Sequence, residues 1–270
     1  TRAMSLRGAA PDLRVADPEG LPFLVEHWYL GTRTRRYMMV RRFREVLAHA
    51  RLSPGLTVLD LGCGWAYGTY WARALGCRVA GVDLGLDQLR WARRALPDAQ
   101  GLRLVQANAK ALPFRAASFD RAISVEMMEH VFRPDRPKVL AEIARVLKPG
   151  GRFAISTPNP SSPIERVKTL AVRWPALRSR LPSSCFPEAA DDAGAYHPYR
   201  YHHPLGLREL AHGLAQAGFQ VEGATRFLWV PKTLPAALLP AGRFAEALAE
   251  HVPLLARMGA TTLLWGHRRG

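Results

Sequence analysis

From residue 57 to residue 157 short apolar runs alternate with amphipathic stretches, and this rhythm restricts the fold more than any other feature of the chain. The apolar runs read as strands over 57–61, 78–83, 102–108, 119–125 and 151–157, and helical spacing recurs over 69–75, 86–95 and 138–147. Strands joined through helices run parallel, and a parallel sheet must be covered on both faces. A doubly wound, Rossmann-like α/β fold follows.

The flanking segments complete the sheet and supply its covers. Residues 22–51 carry Trp28, Tyr29, Tyr37, Met38, Val40, Phe43, Val46 and Leu47 at roughly helical spacing, with seven Arg between 33 and 51. They predict an N-terminal helical cap, followed by a core over 56–158. Residues 158–203 are broken by Pro158, Pro160, Pro163, Pro175, Pro182, Pro187 and Pro198 and read as a lid insertion with one short helix over 164–177. Within 204–270 a helix over 205–217 closes at Gly218, a strand follows over 219–228, a Pro-punctuated helical stretch over 234–258, and a last strand over 261–265. Those two strands bring the mostly parallel sheet to seven and suggest an antiparallel pair at its edge. The expectation is one domain over 1–270.

Composition excludes several classes. At 48% hydrophobic with seven Trp the 270 residues suit a globular core, not a disordered chain, and no apolar run approaches the length of a spanning helix. Cys63, Cys77 and Cys185 are too few for a disulfide framework, which fits a cytoplasmic protein. Met4 reads as the natural start. The net charge is +16, and only five of the 38 cationic residues are Lys. Guanidinium in such excess suits phosphate, carboxylate or an anionic membrane surface, although coding bias or thermal adaptation produces the same composition.

In the segment Val58-Leu59-Asp60-Leu61-Gly62-Cys63-Gly64-Trp65-Ala66-Tyr67-Gly68 an apolar strand feeds a glycine turn that opens a helix, bringing backbone N–H groups close to a ligand. The dinucleotide fingerprint needs a third glycine where Tyr67 stands, so a pyrophosphate cradle is not supported. Asp83 closes the next strand, 19 residues beyond Gly64, where a carboxylate can accept both hydroxyls of a ribose. Asn108 ends the third strand, and then come Ala111-Leu112-Pro113-Phe114, Ser118-Phe119-Asp120, Glu126-Met127-Met128-Glu129-His130-Val131 and Val146-Leu147-Lys148-Pro149-Gly150-Gly151.

In this order and spacing the segments resemble the class I S-adenosylmethionine-dependent methyltransferases over about residues 56–158, the type 11 methyltransferase domain and the quinone-pathway O-methyltransferases among them. The resemblance implies S-adenosylmethionine as cofactor. It implies that Asp60 meets the methionine amino group, that Gly62, Cys63 and Gly64 let the backbone approach, that Asp83 with Leu84 holds the ribose, and that Asn108 with Ala109 faces the adenine, Glu126 completing the contacts. The chain departs from the pattern at Ala66, where a third glycine is usual, and at Asn108, where aspartate is common. Alanine fits if its φ is negative, and an amide oxygen still accepts from an amine. Trp65 and Tyr67 either flank the cofactor cation or pack against the following helix.

Glu126, Glu129 and His130 sit at the carboxyl edge of the fourth strand, and the grouping resembles the metal-binding segment of small-RNA 2'-O-methyltransferases and its counterpart in quinone-pathway O-methyltransferases. Glu129 and His130 are the catalytic candidates, His130 as base or acceptor-positioning group. A divalent metal on Glu126, Glu129 and His130, with His197, His202 or His203 adding a ligand, is a second reading, and a plain structural histidine a third.

The acceptor side combines aromatics with arginine: Trp28, Tyr29 and Tyr37 from the cap, Tyr199 and Tyr201 from the insertion, and Arg33, Arg35, Arg36, Arg173, Arg178, Arg180 and Arg200 among them. These walls suit a small or lipid-like acceptor, anionic or aromatic, methylated at oxygen. A nucleic-acid methyltransferase and a non-catalytic module that lays residues 234–258 on a membrane surface are the alternatives; no recognisable RNA-binding module is present. The sequence leaves the oligomeric state open.

Overall fold

The structure, a computed structural model, describes residues 31–96, 101–174 and 202–270. The cap is helix α1 (Arg33–His49), where the Thr32 hydroxyl accepts the Arg35 amide at 3.4 Å. The core alternates as expected: β1 (Thr57–Leu61), α2 (Tyr67–Ala74), β2 (Arg78–Asp83), α3 (Leu86–Ala95), β3 (Arg103–Gln106), β4 (Phe119–Val125), α4 (Arg136–Val146) and β5 (Leu147–Pro158). β1, β2, α3 and β4 coincide with the segments read from the sequence. β5 begins four residues early because Leu147 pairs with Phe119 across a register shift. α5 (Pro163–Arg173) starts from Ser162, whose hydroxyl accepts the Glu165 amide, with proline at its first position.

The last part of the chain builds α6 (Leu207–Gln216), β6 (Phe219–Phe227), α7 (Leu239–His251), a one-turn α8 (Pro253–Ala256) and β7 (Thr261–Arg268). Gly218, with φ +87°, ends α6 where an L side chain would be strained. The strand order is β3-β2-β1-β4-β5-β7-β6. β1 to β5 pair in parallel, and β7 runs antiparallel to both β5 and β6. The last strand in sequence is therefore inserted inside the edge, and β6 points its carboxyl end the same way as the parallel strands.

Strand residues divide between the two faces with period two. Leu59, Phe153, Ile155 and Leu264 pack with Leu140, Ile143 and Leu214 of α4 and α6, while Val58, Ile123, Ala154 and Leu263 pack with Val46, Leu47 and Trp71 of α1 and α2. α1 lies along the sheet against β4, β5 and β7. Among the described residues no helix is long and apolar enough to cross a membrane.

Candidate active site

The chain leaves β1 toward β2 on one side and enters β4 on the other, so helices on opposite faces splay apart at the carboxyl ends of β1 and β4, the place where open α/β sheets hold ligands. A cleft of about 270 Å³ opens there. Gly62, Gly64 and Trp65 line it from the turn after β1, Asp83, Leu84 and Gln88 from the end of β2 and α3, Ala107, Asn108, Ala109 and Lys110 from beyond β3, and Glu126, Met127, His130, Val131 and Phe132 from beyond β4.

The turn is built for close approach. Gly62 has φ +72°, and a Cβ there would lie 2.1 Å from Met127 Cγ. At Gly64, φ +49°, a Cβ would meet nothing within 4 Å, so the backbone faces open space. The Asp83 carboxylate is fixed by two amides, Oδ2 accepting from Gly64 and Oδ1 from Gly85, each at 2.8 Å. A carboxylate oxygen accepts through two lone pairs, the acceptor chemistry that a hydroxyl needs. Asn108 Oδ1 accepts the Lys110 amide at 3.0 Å, which holds the polar side chain at the rim. Asp60 is buried behind the turn, accepting the Thr69 hydroxyl at 2.7 Å, and burial, with the Asp83 charge adding to it, pushes its carboxyl up to about 7. Cys63 is buried as well, its thiol pushed up chiefly by burial.

One expectation fails at this turn. Ala66 has φ +59°, in the left-handed region, so the negative φ that would make alanine an easy substitute for glycine is absent. The two aromatic neighbours separate. Trp65 lines the cleft and meets Trp91 edge-on at 5.3 Å, whereas Tyr67 is 3% exposed and packs against Phe43 and Trp71 in the core.

Beyond β4 the acidic pair and histidine are divided likewise. Glu126 and His130 line the cleft. Glu126 has φ +52°; its amide donates to the Ser156 carbonyl, Ser156 Oγ lies 3.1 Å from its carboxylate, and Arg42 of α1 stands 3.6 Å away. Glu129 is buried outside the lining, accepting from the Thr157 hydroxyl at 3.2 Å, and burial, followed by the Glu126 charge, raises its carboxyl well above the ordinary range. The cleft thus offers two donors from this segment, and among the described residues no three His, Cys, Asp or Glu converge as a metal shell.

The His130 ring stands 5.4 Å from that of His202, edge to face. Arg136, 5% exposed, donates to the carbonyls of Val131 and His203 and to Glu209 on α6, and the His203 amide donates to the Glu129 carbonyl. Burial, helped by Arg136 and Arg133, holds the His203 imidazole below its ordinary range. Sequence reading overlooked Arg136 as this clamp, and also Gln88, Met127, Phe132 and the Lys110–Asp135 ion pair of 2.8 Å at the mouth. All lie in the loops that follow β2, β3 and β4 or in the first turn of the next helix, at the carboxyl edge, which is the signal that would have found them. Tyr37 is outside the lining, donating to Glu246 at 2.6 Å. Trp28, Tyr29, His197, Tyr199 and Tyr201 fall outside the described residues.

Comparison with known proteins assigns the family. A family model described as a methyltransferase domain matches residues 59–155. The chain is 31% identical over 186 residues to a ubiquinone biosynthesis O-methyltransferase of Xanthomonas axonopodis pv. citri, covering 67% of this chain and 70% of the relative. The chain belongs to the class I S-adenosylmethionine-dependent methyltransferases. It is 39% identical to methyltransferase GfsG of Streptomyces halstedii over 122 residues, 43% of this chain, and spans only 42% of that relative's length. An S-adenosylmethionine-dependent methyltransferase structure from Mesorhizobium loti shares the fold, with a TM-score of 0.58 at 22% identity over 86% of this chain and 98% of its own. The residues fit the methyltransferase cofactor: the Asp83 carboxylate lining the cleft suits a ribose diol, the space over Gly64 admits a ligand against backbone, and Val82, Ala107, Ala109 and Val131 give a purine apolar walls.

Proposed function

We propose that this chain methylates an oxygen of a small, lipid-like acceptor. The observation that carries the reading is the division of the cleft, with a polar half at Asp83 and Asn108 and an apolar half at Met127, Val131 and Phe132; beyond β4 Glu126 and His130 bring titratable groups to it, while Asp135 at the mouth is paired with Lys110. Bound there, S-adenosylmethionine supplies an electrophilic sulfonium methyl with a neutral leaving group. The protein's task is alignment and removal of one proton: His130 would take the proton of the acceptor's hydroxyl. Glu126, held by Ser156 and Arg42, positions the acceptor side of the turn. The O-methyltransferase name of the Xanthomonas relative supports oxygen as the atom.

An acceptor of this kind is met at a membrane, so peripheral contact with a bilayer belongs to the same reading. A nucleic-acid acceptor is the weaker one. Arg73, Arg78, Arg103 and Arg115 do line a second cleft, but at the amino ends of β1 to β4, across the sheet from His130. An acceptor screen with labelled cofactor tests the proposal. His130→Ala is expected to lower turnover by about 10²-fold or more with unchanged affinity for S-adenosylhomocysteine; full turnover in this variant removes His130 as base. Activity is expected to survive chelation, and loss restored by added Mg²⁺ assigns Glu126 and His130 to a metal instead.

A further inference from the structure

Helix α7 is turned inside out. Its acids face the protein: Glu246 is 1% exposed and accepts from the Tyr37 hydroxyl and the amides of Trp229 and Val230, with Arg41 beside it, while Glu250 accepts from Arg41 and the Leu228 amide. Its large apolar residues face outward. Phe244 is 68% exposed, Leu248 55% and Val252 44%, at i, i+4 and i+8, and the stripe runs on through Leu254 at 69% and Leu255 in α8. Exposed large side chains on one face need a partner that removes them from water.

The chemistry of that partner is set by charge. Between residues 236 and 257 both acids are bonded inward, and the exposed charged side chains are Arg257 and Arg243, the latter with its guanidinium 5.2 Å over the Tyr37 ring. An apolar face edged only by guanidinium is complementary to an anionic lipid surface, where apolar groups enter the interface and arginine meets phosphate. The chain's surplus of +16 acts in the same direction.

Position gives the surface a use. β6 runs parallel to β5, so the segment joining β6 to β7 leaves the sheet at the carboxyl edge, the edge of the Asp83–His130 cleft. α5 leaves β5 at the same edge and also turns apolar residues outward, Val167 at 44% and Leu170 at 50%, with Arg166 exposed next to them.

We propose that the outward face of α7 and α8 is a docking surface for an anionic bilayer. It holds the cofactor edge of the sheet against the membrane from which a lipid-like acceptor is drawn, and to that extent it rests on the function proposed above; the docking itself does not use the cleft.

The test is co-sedimentation of the full chain with vesicles of phosphatidylcholine alone and with roughly one-third phosphatidylglycerol. Binding is expected to the anionic vesicles and to weaken with salt. Phe244→Ser with Leu254→Ser is expected to lower the partition coefficient roughly tenfold or more, since both side chains are exposed and each loses its apolar transfer. Affinity for S-adenosylhomocysteine, unchanged in this variant, reports an intact fold. Arg243→Glu with Arg257→Glu is expected to remove the preference for anionic lipid. No vesicle binding by the parent chain, or equal binding by the serine variant, overturns the proposal; concentration-dependent dimerisation abolished by the serine variant gives the face to a second copy and overturns it too. Vesicle binding without methyl transfer would instead discard the function proposed for the cleft and leave the docking surface standing.

Discussion

The Asp83 carboxylate accepts the Gly64 amide at 2.8 Å, so the end of β2 and the glycine turn after β1 form one rigid unit. The group expected to hold the ribose also sets the backbone over which the cofactor lies. Removing it therefore has a double effect on binding. Asp83→Ala is expected to weaken S-adenosylhomocysteine by about a hundredfold, the value of two charge-assisted hydrogen bonds, with a Tm change of only about 3 °C. Gly64→Val is expected to match it, because its side chain enters the space left open over the turn. Calorimetry measures both, and retained affinity in the pair rejects this cleft as the cofactor site.

Asp60 predicts a pH dependence. Its folded-state value of about 7 lies above the ordinary 3.8, so its contribution to stability is fully present below 3.8 and is lost as pH rises through 7. Where the cofactor ammonium meets Asp60, as the family resemblance implies, binding runs the other way, since an ammonium favours the ionised carboxylate. Affinity is expected to rise by up to about tenfold per unit between about pH 5 and 7 and then level off. Asp60→Asn should flatten both profiles; an unchanged slope in that variant assigns the titration elsewhere.

Ala66 sits at φ +59°, a conformation that costs an L residue about 1 kcal/mol and glycine little. Ala66→Gly is expected to raise Tm by about 2–4 °C in thermal unfolding. A Tm at or below that of the parent contradicts the left-handed turn.

Glu246 gathers Tyr37, Arg41 and two backbone amides at one buried carboxylate. Glu246→Ala leaves the Tyr37 hydroxyl and two amides without their acceptor and takes one of two carboxylates from Arg41, and is expected to cost about 3–5 kcal/mol, lowering Tm by about 10 °C. Denaturant unfolding monitored by tryptophan fluorescence measures it. A loss of under about 1 kcal/mol would show that α7 is held by other contacts.

Most of the sheet was legible because its strands are apolar runs whose length and period have no other use. Thr57–Leu61 and Phe119–Val125 emerge residue for residue. The strand ends then located Gly62, Gly64, Asp83, Asn108, Glu126 and His130 in one cleft. What the sequence hid depends on orientation. Glu129 and His130 are adjacent, yet a 3-10 turn sends one into the core beside Thr157 and the other into the cleft. Tyr67 and Trp65 part in the same way, and the sign of φ at Ala66 is fixed by the turn around it. The reversed polarity of α7 is invisible in a helical pattern, which shows two faces without saying which is inside.

Phe227 and Thr261 face each other across the ladder, so the long segment between them leaves the sheet and re-enters it at neighbouring points. Its length is thus nearly independent of the strand register, because enlarging a closed loop adds only about 0.6 kcal/mol per doubling. The turns after β1, β2 and β3, proposed above to hold the cofactor, are far from this junction in the chain. A descendant of this protein can vary the length and the outward face of this segment without disturbing the turns proposed to hold the methyl donor, as long as Glu246 and Glu250 keep their hold on Tyr37 and Arg41.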